Sequence, residues 1–286
     1  MKRALCLLLL GLGLVLSHSC AGPTCERTYA APPGPPRPFL WEVRGEQGTI
    51  TLFGTWHGAD ERDVPSAAWA RLDAAEVYVA EVDEVGRFEK AATRVRLART
   101  LQLPPGKSLA QMVSESDFYD LMTYLGATAQ EVVRLKPWVA MSALAARAWR
   151  MPSPPIDEAL LEHARKQGLV TQFLEAWDEQ VAALDAAIGG PELTQAIHEF
   201  PTMRCTLEDT HAAYLAGDDA RLGGALVGEV RDELLVRRNQ RWLPLLEEQL
   251  HSGKRAFVAV GVGHLLGSDG VVAQLAARGY TVTRLP

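Results

Sequence analysis

The sequence has no long run of lysine and arginine that could neutralise a nucleic-acid backbone. Its 29 basic residues are outnumbered by 35 acidic ones, which gives a formal net charge of -6 at pH 7. Because contacts between basic side chains and phosphates supply most of the affinity for nucleic acid, we do not expect DNA or RNA as a partner. No repeat of solenoid period is visible either.

Several common catalytic signatures are also missing. The chain contains no Gly-x-Ser-x-Gly motif, which argues against a serine hydrolase with a nucleophile elbow. The glycines of Gly261–Gly267 do not have the spacing of a dinucleotide-binding loop. His198-Glu199 resembles the start of a zinc-peptidase motif, but Thr202 stands where the second histidine is required.

Long apolar runs are rare, and the one at the N-terminus indicates export. Lys2 and Arg3 precede the apolar stretch Ala4–Leu16, and small and polar residues follow it up to Cys20. This layout is typical of a signal peptide, and the stretch is short for a membrane span. We therefore expect residues 1–19 to be a signal peptide and the mature protein to reach the bacterial periplasm or to be a membrane-anchored lipoprotein.

Cys20 is the candidate for lipid attachment. Cys20-Ala-Gly22 resembles a lipoprotein cleavage site, with Ser17 where such sites usually have an aliphatic residue. Cys25 and Cys205 would then remain in an oxidising compartment, which suggests a disulfide between them. The spacing of the four cysteines does not suggest a zinc site.

A proline-rich segment separates the export signal from the folded part of the chain. Ala30–Pro38 can form few backbone hydrogen bonds and should be extended. We expect residues 20–37 to be a tether and residues 38–286 to form one large domain. The full sequence has 48% hydrophobic residues, which is enough for a substantial core.

Two Gly-x-x-His signatures stand near the two ends of this domain. Gly54-Thr-Trp-His57 follows the strand-like run Thr49–Phe53, and Gly261-Val-Gly-His264 follows Ala256–Val260. Both histidines would therefore leave a sheet where open α/β sheets usually bind ligands. Neutral imidazole is a common metal ligand and general base, so we expect His57 and His264 to share one site.

A carboxylate interrupts the apolar segment Val77–Val82, which reads as a strand. Glu81 must be paired, bound to a ligand or placed at a strand end facing a cleft, because burying a lone carboxylate costs several kcal/mol. The alternative is a solvent-facing residue on a half-exposed edge strand. The local pattern leaves both interpretations open.

The middle of the chain, roughly 86–150, reads as mostly helical. Pro137 is expected to interrupt a helix there, and Trp138 to pack in a core. Helical and strand-like segments elsewhere predict an α/β fold with a mixed central sheet, a largely helical middle insertion and a single large domain.

A second carboxylate also follows a strand-like run. A helix opened by Pro155 and Asp157 and closed by Gly168 precedes Leu169–Leu174, which delivers Glu175 at its end. This is the position that the two histidines occupy relative to their strands. Glu175 is therefore a secondary candidate for the site.

Near the C-terminus, Asp232–Leu250 has the apolar spacing of a helix with one core-facing side. Arg238 and Asn239 fall within that side, and Arg238 lies four residues from both Leu234 and Trp242. The guanidinium is either directed inward, toward a carboxylate or a substrate oxyanion, or it reaches back to the surface along its aliphatic stem.

Taken together, these segments resemble the TraB/PrgY/GumN family, which is related to the Tiki proteins. The resemblance rests on Pro38–Val43, Gly48–His57, Leu174-Glu175 with Gln180, Arg238-Asn239, Phe257–Gly267 and Gly279-Tyr-Thr-Val, together with the strand that holds Glu81. It covers nearly all of residues 38–286. Trp56 departs from the family pattern, which usually has a small or aliphatic residue there, and could narrow the mouth of the site. Ile156 also departs, because a glycine is expected before Asp157.

The resemblance implies an α/β fold and, by analogy with Tiki-type members, a metal-dependent peptidase with His57, His264 and Glu81 as its site. Two histidines and a carboxylate suit Zn, Mn or Co and leave a coordination position open for water, which favours hydrolysis of a peptide or small-molecule substrate. Glu81 would be the third ligand or the general base, and Arg238 would steady Glu81 or the oxyanion.

Two alternatives remain open at the sequence level. The two histidines could perform acid and base chemistry without a metal, or the chain could be a non-catalytic envelope protein that binds a peptide or ligand in the same cleft.

Overall fold

A computed structural model of the protein describes residues 25, 29–83, 98–149, 152 and 154–286. The predicted signal peptide and Cys20 lie outside the described residues. The chain forms two compact units. Among the described residues, the helical unit contains Cys25, residues 98–149 and residues 184–209, and the sheet unit contains residues 29–83, 152, 154–183 and 210–286.

A mixed six-stranded sheet forms the centre of the sheet unit. Its strands are β1 (Leu40–Arg44), β2 (Thr49–Thr55), β3 (Val77–Ala80), β4 (Val170–Phe173), β5 (Arg255–Gly261) and β6 (Thr281–Arg284), in the spatial order β4-β3-β5-β2-β1-β6. The four strands from β4 to β2 run parallel, whereas β1 pairs antiparallel with both β2 and β6. The central strands β2 and β5 are almost entirely buried, as expected of parallel strands covered on both faces.

Helices follow the strands in the order typical of α/β folds. The described residues contain α1 (Ser66–Asp73), α2 (Glu115–Leu125), α3 (Ala129–Val132), α4 (Pro137–Ala148), α5 (Ile156–Lys166), α6 (Trp177–Ala187), α7 (Gly190–Ala216), α8 (Asp219–Gly223), α9 (Gly228–Arg231), α10 (Arg237–His251) and α11 (Val271–Ala277). Short 3-10 turns occupy Glu61–Asp63, Leu109–Gln111 and Val262–His264, and a π-helical turn, Asp232–Val236, leads directly into α10. Among the described residues, no helix has the length and apolar character needed to cross a membrane.

The helical unit has an apolar core of its own. Its fully or nearly buried members come from α2, α4, the first part of α7 and the loops before α2, namely Leu103, Leu109, Leu121, Ala140, Leu144, Leu193, Ala196 and Ile197. Trp138 is also buried, as predicted, and its indole N–H donates to the Asp185 carboxylate over 2.8 Å. A disulfide joins Cys25 to Cys205 within this unit, as the sequence suggested.

The α/β class, the mixed sheet and the helical middle insertion are confirmed. The prediction for Pro137 was wrong, because this proline is the first residue of α4 and interrupts no helix. The first helical turn leaves its N–H groups without intrahelical acceptors, so a residue without an N–H fits there at no cost. The predicted strand Val77–Val82 ends earlier, at Ala80, and β3 lies between β4 and β5, which excludes an edge strand for Glu81.

Candidate functional site

Four predicted site residues follow the C-terminal ends of the four parallel strands. The register pairs Thr55 with Gly261 and aligns Ala80 with both Ala259 and Phe173, so these strand ends lie along one edge of the sheet. The side chains that come next along the chain are those of His57, Glu81, Glu175 and His264. Open α/β sheets bind ligands at this edge, because the connecting loops open there.

Arg238 joins three of these side chains. It is 6% exposed and lies in the first turn of α10. Its Nη2 lies 2.6 Å from both Glu81 Oε2 and Glu175 Oε1, and its Nε lies 3.1 Å from Glu175 Oε2. Its Nη1 lies 3.0 Å from His264 Nε2 and 2.9 Å from the carbonyl oxygen of Leu234. The sequence had left two orientations open, and the guanidinium is directed inward.

Asn239 determines which nitrogen of His264 carries the proton. The Asn239 amide donates from Nδ2 to the carbonyl oxygens of His264 and Asp269, over 3.1 and 3.0 Å. Its Oδ1 therefore faces His264 Nδ1 at 2.7 Å and must accept a proton from it. His264 Nε2 is left with the lone pair, which accepts from Arg238.

Opposing effects set the pKa of Glu81. Burial, the largest single effect, acts to raise it, but Arg238, His264, His57 and the Gly261 N–H together outweigh burial, and the pKa falls to about 2. The Gly261 N–H donates to Glu81 Oε1 over 2.6 Å. Glu81 is therefore an ionised carboxylate at neutral pH.

Burial shifts the pKa values of the other two acid-base groups of the cluster toward their neutral forms. Burial raises the pKa of Glu175 despite its hydrogen bonds to Arg238, and the charge of Glu81 raises it further. Burial also lowers the pKa of His264 to about 3, more than the attraction of Glu81 can offset. The His264 ring packs against Trp242, with ring centroids 4.3 Å apart. His264 is thus a neutral imidazole at physiological pH.

His57 occupies a different environment. Its side chain is 64% exposed, and its Nδ1 lies 2.8 Å from Asp157 Oδ2. The Thr55 hydroxyl donates to the other oxygen of that carboxylate over 2.7 Å. When protonated, His57 also affects the inner cluster electrostatically, because its positive charge then lowers the pKa of both Glu81 and His264.

The structure thus brings Glu81, Glu175, Arg238, Asn239 and His264 into one hydrogen-bonded cluster. His57 lies within electrostatic range of this cluster, but the hydrogen bond at its Nδ1 runs to Asp157, which lies outside it.

Asp157 and Thr55 were not predicted as site residues. Asp157 was noted only for opening a helix, and it lies in the first turn of α5. Thr55 lies within the first Gly-x-x-His motif, and that motif is the sequence signal that could have identified it.

Trp56 packs beside the site rather than into the hydrogen-bonded cluster. Its indole stacks on the imidazole of His211, with centroids 5.3 Å apart, and lies 6.3 Å from the ring of Tyr214. An added Cβ at Gly58 would overlap the indole, so glycine there permits this packing. The effect of Trp56 on substrate access stays a prediction.

The donor types at the site fit a divalent metal. Within the described residues, no group of three or more His, Cys, Asp and Glu side chains is arranged as a ready metal site. However, His264 Nε2 and Glu81 Oε1 lie 3.8 Å apart, which is less than about 4.2 Å, twice a typical metal-ligand distance. An oxygen also holds Nδ1 of each histidine, as is usual for histidine ligands.

Comparison with known proteins gives one match, which is to a family model. No curated protein and no solved structure shows significant similarity to the chain. The model of the TraB/PrgY/gumN family matches residues 39–284, which includes all six strands and every residue of the cluster. The chain therefore belongs to the TraB/PrgY/gumN family.

Proposed function

We propose that this protein is an exported metal-dependent hydrolase that cleaves peptide bonds. His57, His264 and Glu81 would hold a divalent ion such as Zn, Mn or Co. When bound, such an ion would supply a nucleophilic hydroxide and polarise the substrate carbonyl. The proposal also places the mature protein in the periplasm or on a membrane through a lipid on Cys20.

One observation carries this proposal: an ionised carboxylate and a neutral imidazole lie 3.8 Å apart at the C-terminal edge of the sheet. A metal ligand must present a lone pair. His264 carries one on Nε2 because Asn239 holds its Nδ1–H, and a metal ion there would replace the hydrogen bond from Arg238. The hydrogen bonds to Glu81 from Arg238 and from the Gly261 N–H orient the carboxylate.

Arg238 would act as a second positive group in the reaction. Its guanidinium contacts Glu81, Glu175 and His264 at once, so it keeps both carboxylates close together. A donor of this kind stabilises negative charge that develops on a substrate oxygen. Glu175, whose pKa is raised, could donate or accept a proton more readily than Glu81 near neutral pH.

The first test is metal content. The full chain is loaded separately with Zn, Mn and Co and compared with His57→Ala and His264→Ala by elemental analysis. We expect a stoichiometric ion in the wild type and its loss in both variants. His163→Ala is the matched control, because His163 pairs with Asp73 outside the cluster and its removal should leave the metal in place.

Hydrolysis is tested with a peptide library and the metal-loaded protein. Cleavage that disappears in Glu81→Gln, while the variant remains folded, would support the peptidase function. A wild type without stoichiometric metal, or metal retained in both histidine variants, would rule out the proposed site.

A non-catalytic protein that binds a peptide or small ligand is the second candidate. The observation in its favour is that Arg238 already donates to both carboxylates and to His264 Nε2, so the cluster has an internal positive charge. Peptide binding by a wild type that neither holds metal nor hydrolyses the library would favour this candidate.

A further inference from the structure

We propose that Asp157 and Thr55 are positioning residues that hold His57 in the tautomer with its proton on Nδ1 and its lone pair on Nε2. The inference deepens the function proposed above and rests on it. It gives the two histidines different supports, a carboxylate for His57 and an amide for His264.

The hydrogen-bond geometry fixes the direction of each proton. His57 Nδ1 lies 2.8 Å from Asp157 Oδ2, and Thr55 Oγ1 lies 2.7 Å from Asp157 Oδ1. A carboxylate only accepts, so both partners must donate to it. The Thr55 hydroxyl therefore orients the carboxylate, and the carboxylate in turn orients the imidazole.

Rigid parts of the sheet unit supply these residues. Thr55 is 1% exposed and is the last residue of β2, where it pairs with Gly261 of β5. Asp157 lies in the first turn of α5, and the N–H of Ile156 donates to the carbonyl oxygen of Ala59 over 3.1 Å. The start of α5 is thus tied to the loop that follows β2.

Hydrogen bonds are more important for restraining the ring of His57 than for restraining that of His264. The His264 side chain is 4% exposed and packs against Trp242, so burial restrains its ring. The His57 side chain is 64% exposed, so packing restrains it far less. An exposed imidazole samples both tautomers unless a fixed acceptor selects one. Partners of this kind commonly set ligand orientation in metal sites.

The first experiment reads the tautomer directly in the metal-free full chain. Long-range 1H–15N spectra are recorded with 15N-histidine, and the signals of His57 are assigned by their loss in His57→Gln. We expect the Nδ1–H pattern in the wild type and a shift toward the Nε2–H pattern in Asp157→Ala. The signals of His264 should stay in place and report that the fold is intact.

A matched pair tests Thr55. Thr55→Val keeps the shape of the side chain but removes the hydroxyl, whereas Thr55→Ser retains it. We expect Thr55→Val to shift the His57 signals in the direction of Asp157→Ala, and Thr55→Ser to resemble the wild type. Unchanged His57 signals in both Asp157→Ala and Thr55→Val would overturn the proposal.

The second experiment measures zinc affinity by competition with a chelator. Asp157→Ala should bind zinc about 10- to 100-fold more weakly than the wild type, as for other outer partners of histidine ligands. Thr55→Val should be weakened in the same direction, and Thr55→Ser should not. Equal zinc affinity in the wild type and Asp157→Ala would overturn the positioning role. A wild type that binds no zinc, Mn or Co would instead refute the metal-dependent function, and the tautomer spectra would still decide this proposal.

Discussion

Arg238 places one positive charge between two largely buried carboxylates, Glu81 and Glu175. Removing a single partner from a buried ionic cluster leaves uncompensated charge, so Arg238→Ala should lower the free energy of unfolding by about 3–5 kcal/mol. Arg241→Ala is the control, because its half-exposed guanidinium lies 3.9 Å from Glu175 and should contribute less than about 1 kcal/mol. Urea unfolding compares the two, and equal losses would contradict the central role of Arg238.

The pKa of His264 makes stability depend on pH. Burial lowers this pKa from 6.5 to about 3, so the unfolded chain binds the proton more tightly than the folded protein. The contribution of neutral His264 is full above pH 6.5 and is lost as the pH falls toward 3. Glu81 adds a second loss between pH 4.5 and about 2. Burial raises its pKa, but Arg238, His264 and His57 together outweigh burial and depress the folded pKa.

Urea unfolding across pH 8 to 4 tests this expectation. The wild type should lose stability below pH 6.5, and His264→Gln should lose less over the same range because it lacks the titrating imidazole. Parallel curves for the two proteins would contradict the assignment.

The sequence predicted some side-chain environments and missed others. The inward orientation of Arg238 was one of two that the sequence left open, because apolar residues four positions away favour it but a long side chain can also reach back to the surface. The contact between Asp157 and His57 joins residues that are 100 positions apart. No local spacing encodes such a pair, so it emerges only when the start of α5 and the end of β2 meet in the fold.

The β1–β2 hairpin positions the strand that carries the first Gly-x-x-His motif. At its turn, the N–H of Gly48 donates to the carbonyl oxygen of Leu250 at the end of α10 over 2.8 Å. A Cβ at Gly48 would lie 2.8 Å from the carbonyl oxygen of Gln249 and 2.9 Å from that of Leu250. Gly48→Ala should therefore lower the free energy of unfolding by about 1–3 kcal/mol.

The neighbouring exposed residue provides the control for this prediction. Gln47→Ala changes the same turn and should alter stability by less than about 0.5 kcal/mol. Thermal or urea unfolding separates the two variants. A neutral Gly48→Ala would show that the hairpin can move away from α10 at little cost.

Element types were more predictable than element details. The strand-like runs before both histidines became β2 and β5, because apolar β-branched segments suit buried parallel strands. The π-helical turn Asp232–Val236 was not anticipated, since its apolar residues fit an ordinary helical repeat. Such turns often occur at functional sites, and here the Leu234 carbonyl oxygen accepts from Arg238.

At the scale of the whole molecule, the Cys25–Cys205 disulfide restrains the unfolded chain. It joins residues with a sequence separation of 180 positions, and closing so long a loop removes much conformational freedom from the unfolded state. The paired variant Cys25→Ser/Cys205→Ser should be less stable by about 2–5 kcal/mol. Urea unfolding with and without reductant measures this loss. An equal free energy of unfolding of the wild type in both conditions would contradict the expectation.

The overall architecture could be predicted because the alternation of strands and helices is visible locally. The α/β class, the mixed sheet and the disulfide follow from that pattern and from the expected export. The division into two compact units was harder to predict from the sequence. Helices α6 and α7 each contribute residues to both units, and no proline- or glycine-rich linker marks the boundary.

The disulfide would also keep the chain in one covalent piece after a backbone cut between the two cysteines. His57, Glu81 and Glu175 lie between the two cysteines, whereas Arg238, Asn239 and His264 follow the second one. A single proteolytic cut between Cys25 and Cys205 would therefore yield two fragments that stay linked through sulfur. Such a nicked protein would migrate as one species on a non-reducing gel and as two under reduction, with both sets of site residues still attached to one molecule.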